Sequence, residues 1–132
     1  MAQVRRLIGV YDADGGLRGE IAYLAGKIAG RHCTLCDITH SPVRRRREWD
    51  SYVSGLPVPF DVVHRNERSA ALERATEGRE ACVVAECADG SLVFLLGNDD
   101  LAQAGDVTGL QGAVASALAR AHLAWPPASV RP

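Results

Sequence analysis

The densest set of reactive side chains in this sequence is His32-Cys33-Thr34-Leu35-Cys36-Asp37-Ile38-Thr39-His40. It holds half of the cysteines and half of the histidines. The Cys33-x-x-Cys36 spacing lets two sulfurs address one centre, and His40 joins them if the backbone turns helically. Two thiolates and an imidazole suit Zn²⁺ or Cu(I). His32 or Asp37 could supply a fourth ligand, or His64 could arrive from the end of the second strand. A single CxxC lacks the second knuckle of a zinc ribbon, and Asp37 stands where a CxxCH haem attachment needs histidine.

The same atoms support thiol chemistry. With Cys33 near the start of a helical turn, exposed amides and a cationic His32 or Arg31 would favour its thiolate. Asp37 opposes this, since a neighbouring carboxylate raises a thiol pKa. In that reading Cys33 attacks and Cys36 resolves. In a third reading Leu35 and Ile38 anchor an ordinary loop, both thiols are inert, and the domain serves only to bind a protein partner. Whether the chain is an enzyme stays open among the three. Cys82 and Cys87 lie five apart on one strand, so they face opposite sides, cannot bridge, and read as buried apolar fillers. His64 reads first as a strand-end polar residue, and His122 as a helix-end or surface one.

These residues need elements to hold them. Val4 to Asp12 reads as a buried strand. After Ala13-Asp14-Gly15-Gly16, the apolar stripe Leu17, Ile21, Leu24, Ile28 predicts an amphipathic helix ended by Gly30. Ser41-Pro42 opens a second helix that Gly55 closes. Pro59 to His64 is a short strand, and Asn66 can cap a helix to about Glu77. Ala81 to Cys87 and Ser91 to Leu96 form a hairpin across Ala88-Asp89-Gly90. Asn98 and Asp99 start a brief helical turn stopped by Gly105. Asp106 then caps a long helix that ends at Trp125-Pro126-Pro127. The order β-α-α-β-α-β-β-α predicts an α/β domain: a mixed four-stranded sheet with helices on both faces. The domain is expected to span residues 1–125, with 126–132 a flexible tail.

This order resembles the thioredoxin-like fold, a three-layer sandwich, with an extra helix between Ser41 and Gly55. The opening Tyr11-Asp12-Ala13-Asp14-Gly15-Gly16-Leu17-Arg18 is similar to the Tyr-Asp-Gly-Asp-Cys-Gly-Phe-Cys signature of the DCC family of thiol-disulfide oxidoreductases. Tyr11, Asp12, Asp14 and Gly16 match it. Gly15 and Arg18 stand where that family places its cysteines, so the CxxC of this chain is displaced to Cys33 and Cys36. Arg79-Glu80-Ala81-Cys82 has no proline where thioredoxin-like enzymes usually carry one before the third strand. The resemblance therefore implies the fold and leaves the thiol site to the displaced pair.

Asp12-Ala13-Asp14-Gly15-Gly16-Leu17 also resembles the first motif of haloacid-dehalogenase-type phosphatases, which implies a nucleophilic Asp12, an acid/base Asp14 and Mg²⁺. Gly97-Asn98-Asp99-Asp100 mimics their acidic pair. The only lysine, Lys27, falls on the first predicted helix, away from the place that motif requires, so this stays a minor alternative.

Fifteen basic residues against sixteen acidic ones give a net charge of −1, which argues against a nucleic-acid partner. Arg44-Arg45-Arg46-Arg47 reads as a solvated helix face. No apolar run is long enough to span a membrane, and no secretory signal is seen. The expectation is a cytoplasmic protein with reduced thiols.

Overall fold

The apolar run at the start of the chain forms the central strand. In β1 (Ala2–Val10) every residue from Leu7 to Val10 is buried, as a strand covered on both faces requires. The computed structural model describes residues 2–11, 43–79 and 81–126. After β1 come α1 (Val43–Ser54), β2 (Phe60–Val63), a 3-10 turn (Arg65–Glu67) and α2 (Ala70–Thr76). Then follow β3 (Cys82–Cys87), β4 (Leu92–Leu96), α3 (Asn98–Ala104), α4 (Val107–Arg120) and β5 (Leu123–Ala124). The predicted helix from Leu17 to Gly30 and the Ser41-Pro42 cap lie outside the described residues.

The strands form one mixed sheet in the order β2-β1-β3-β4. β1 and β2 are parallel, with Leu7 opposite Phe60 and Val10 opposite Val63. β3 runs antiparallel to β1, with Cys82 opposite Val10, and β4 antiparallel to β3. The expected four-stranded sheet is corrected to five strands among the described residues, a short β5 pairing with β1. α4 stops at Arg120, and His122 takes a left-handed φ of 57°. That turn swings Leu123 and Ala124 alongside Ala2 and Gln3 as β5. The helix therefore ends earlier than the Trp125-Pro126-Pro127 terminator suggests.

Period-two alternation sends Leu7 and Tyr11 to one face of the sheet and Ile8 and Val10 to the other. Among the described residues, three helices cover the first face. Trp49 of α1 meets Phe60 edge-on with ring centroids 4.9 Å apart, and Leu101 of α3 and Leu110 and Val114 of α4 fill the core behind. The second face carries Leu72 of α2. Cys82 belongs to the second-face cluster and Cys87 to the first. Both are buried, and neither forms a disulfide, in agreement with the five-residue spacing.

Local signals account for the helix ends. Asp106 Oδ1 accepts the Gly109 amide at 2.8 Å, capping α4. Gly105 ends α3 with φ 73°. Gly109 lets α4 pass close to α3, since a Cβ there would stand 2.0 Å from the Ala104 carbonyl oxygen. One cap differs from expectation. The helix predicted from Asn66 is broken at Arg68, which is extended, and restarts at Ser69, whose Oγ accepts the Leu72 amide at 3.2 Å. No helix among the described residues is long and apolar enough to cross a membrane.

Candidate functional site

Cys33, Cys36, His40, His32 and Asp37 lie outside the described residues, as do Asp12 and Asp14. What the structure defines is the sheet end from which the chain enters that stretch. β1 and β2 run side by side in one direction, and the Tyr11 amide donates to the Val63 carbonyl at 2.9 Å, one step beyond β1. The next residue on β2's side is His64. In open α/β sheets ligands bind outside the carboxyl ends of the strands, in the crevice left where the strand order reverses.

Tyr11 and His64 close this end together. Their ring centroids lie 5.1 Å apart at an interplanar angle of 58°. Tyr11 is buried in the first-face core, whereas the His64 side chain is 37% exposed. One ring is thus a wall and the other a presented group.

Glu67 fixes that presented group. The chain leaves β2 in an extended conformation at His64 and then winds into the 3-10 turn, where the Glu67 amide donates to the His64 carbonyl at 2.9 Å. The turn carries the Glu67 carboxylate back over His64. Its Oε1 accepts the His64 backbone N–H at 2.7 Å and lies 2.8 Å from Nδ1. These bonds, the backbone one first, hold the Glu67 carboxyl below its ordinary pKa of 4.5. An ionised carboxylate can only accept, so Nδ1 is the donor in this contact. Among the described residues, Nε2 makes no hydrogen bond.

Sequence reasoning names His64 as a ligand that could arrive from strand two. It misses Tyr11 and Glu67 as its neighbours. A signal for Glu67 is present: a histidine at a strand end followed three residues later by glutamate is a reciprocal turn pattern. Tyr11 has no such signal, since only strand pairing brings it to His64.

The other candidates resolve differently. Cys82 begins β3 across from Val10 and is fully buried, so it acts as an apolar filler of the second face. Asp100 is engaged locally: its Oδ2 accepts the Gly97 amide at 2.9 Å at the start of α3. That turns half of the phosphatase-like acidic pair into a helix-end contact. Among the described residues no three His, Cys, Asp or Glu side chains gather closely enough to hold a metal. A separate open groove of about 1000 Å³ runs between α1 and the start of α4, lined by Arg47, Ser51, Tyr52, Asp106, Thr108 and Gln111 among others. Burial there pushes the Tyr52 phenol up to about 12, so it remains a neutral donor at ordinary pH. Compared with protein-family models, curated proteins and solved structures, the chain matches none.

Proposed function

We propose that this protein is a thioredoxin-like α/β domain that binds a thiophilic metal, Zn²⁺ or Cu(I), through Cys33, Cys36 and His40, with His32 or Asp37 in support. The observation that carries the reading is the passage of the chain from β1 into residues 12–42 at the carboxyl end of a parallel strand pair. A stretch rich in thiols and imidazoles thus departs from the sheet end where such folds bind ligands. The succession β1, α1, β2, α2, the β3–β4 hairpin and then α3 and α4 is in keeping with the thioredoxin-like resemblance. The parallel β1–β2 pair and the antiparallel β3–β4 hairpin add to it. Cys82 and Cys87, buried on opposite faces, are not available to a shared centre, which leaves Cys33 and Cys36 as the thiol pair to test.

Metal analysis of the chain purified under reducing, chelator-free conditions tests this reading. The expected result is stoichiometric metal that is lost in Cys33→Ser/Cys36→Ser. Metal-free protein with a CxxC reduction potential between about −270 and −200 mV would instead make it a thiol-disulfide oxidoreductase. Metal-free protein without such a potential would leave an interaction module. Phosphatase activity that requires Asp12 and Mg²⁺ would replace all three.

A further inference from the structure

We propose that the outer edge of β4 receives a β-strand from a protein partner: an extended apolar segment with a Lys or Arg at each end. This goes beyond the metal-binding reading and uses only described residues.

The backbone defines what the edge can take. β4 ends the strand order β2-β1-β3-β4, so among the described residues one side of it is unpaired. The phase of the ladder is set at the hairpin, where the Cys87 N–H donates to the Ser91 carbonyl at 2.9 Å. Ala85 and Val93 stand opposite each other two residues on and are the next pair to exchange bonds. The N–H and C=O of Leu92 and Phe94 therefore point away from β3, at the spacing an added strand bonds to.

The side chains leave that edge unguarded. Native edges are usually protected by charge, proline or a bulge. β2, at the other end of the strand order, follows the rule: Pro59 precedes it, and its half-exposed Asp61 pairs with Arg6. β4 reads Leu92-Val93-Phe94-Leu95-Leu96, with neither charge nor proline. Its bulge lies beyond Phe94, where Leu95 has no opposite residue on β3, and Leu92 to Phe94 stay regular. These three side chains are half-buried, so a neighbouring strand would cover apolar surface on both faces of the sheet.

Charge selects the occupant. Asp89 stands at one end of the edge, in the hairpin turn, and exposed Asp99 and Asp100 stand at the other, in the first turn of α3. Arg79 stacks on the Phe94 ring at 4.7 Å, which places it over the second face and at neither end. A second copy of β4 laid antiparallel would bring Asp89 towards Asp99 and Asp100 of the other molecule. Laid parallel, it would set each acidic end beside its own copy. Like charges meet in both arrangements, whereas a strand with basic ends meets opposite charge twice.

The test titrates the full chain with the capped peptide Lys-Val-Thr-Val-Thr-Val-Lys and follows backbone amide shifts and hydrogen exchange. The expected result is protection of the Leu92 and Phe94 amides. Affinity should fall at least about tenfold when both lysines of the peptide become glutamate. It should fall about 3- to 10-fold in Leu92→Pro, which removes an outward N–H and no ladder bond. Asp99→Lys keeps the proposal falsifiable if Leu92→Pro folds poorly: it should weaken the lysine peptide and strengthen the glutamate one. A peptide that leaves the β4 amides unchanged, equal affinity for the two peptides, or undiminished binding of a fully N-methylated version would overturn the proposal. So would Leu92 and Phe94 amides already protected in the dilute chain, which would mean the protein covers this edge itself. Protection that grows with protein concentration in the absence of peptide would instead give the edge to a second copy and overturn the basic strand.

Discussion

On one face of the sheet Leu7, Val83, Ala85 and Leu96 meet side chains from α1, α3 and α4; on the other, Ile8, Val10, Cys82 and Val84 meet Leu72 of α2. The first face is apolar throughout. The second grades along the strands from Val10 and Cys82 to a charged group in which Arg5 and Arg6 converge on Glu86 and Arg6 also reaches Asp61. A bulge in β1 between Val4 and Arg6 makes this convergence possible. The inserted residue breaks strict alternation, so two consecutive arginines approach one carboxylate on the neighbouring strand. Beside that group lies an open concavity of about 290 Å³, bordered by Ile8, Val63, Leu72 and Leu92. Cohesion is concentrated on the first face, and the second tolerates polar chemistry within reach of its apolar floor.

Truncating one leucine on each face is the strongest way to break this comparison. Leu110 is fully buried among the helices of the first face, so Leu110→Ala leaves an enclosed void and is expected to cost about 3–5 kcal/mol. Leu72→Ala only widens a concavity already open to solvent, and is expected to cost about 2 kcal/mol, near the transfer contribution alone. Denaturant unfolding of both variants measures the gap. Equal losses would mean that the second face is as closed as the first.

A smaller effect isolates α2. Its seven residues are too few to be stable alone, and the Ser69 cap is part of what holds the helix over the second face. Ser69→Ala is expected to cost about 1 kcal/mol, and amide exchange should quicken in α2 while the amides of α4 stay protected. Uniform loss of protection across both helices would show that the two faces do not unfold separately.

The smallest effect concerns pH. The Arg5 guanidinium first, and Arg6 after it, hold the Glu86 carboxyl below its ordinary value of 4.5. A carboxyl with a depressed folded pKa contributes stability above its unfolded pKa and loses that contribution as pH falls through the folded one. The stability difference between wild type and Glu86→Gln is therefore expected to be full near neutrality and to shrink as pH falls below about 4.5. Unfolding curves at a series of pH values check this. A constant difference would mean that the arginine pair does not stabilise the ionised carboxylate.

Much of the fold is legible in the sequence because short-range rules decide it. Asp106 and Gly105 bound their helices through bonds that reach no more than four residues. The Ala88-Asp89-Gly90 hairpin needs only Gly90, with φ 87°, and the Asp89 Oδ1 that accepts the Ser91 amide. The early stop of α4 is not legible, because the histidine at φ 57° is held there by a distant pairing: Leu123 gains a buried place beside Ala2. The false start at Asn66 has a similar cause. Its cap signal is sound locally, but Glu67 is committed to His64, and Ser69 offers the cap from which the helix can proceed.

The sequence by itself determined that Cys82 and Cys87 would be buried on opposite faces, since alternation along one strand needs no knowledge of its neighbours. It also singled out His64 as a strand-end histidine. Only the tertiary structure decided that Tyr11 would pack against His64 and that Glu86 would gather Arg5 and Arg6. Those meetings join residues far apart in the chain. They arise because β1 lies between β2 and β3, and no local pattern encodes which strands become neighbours, because that depends on how the whole core closes.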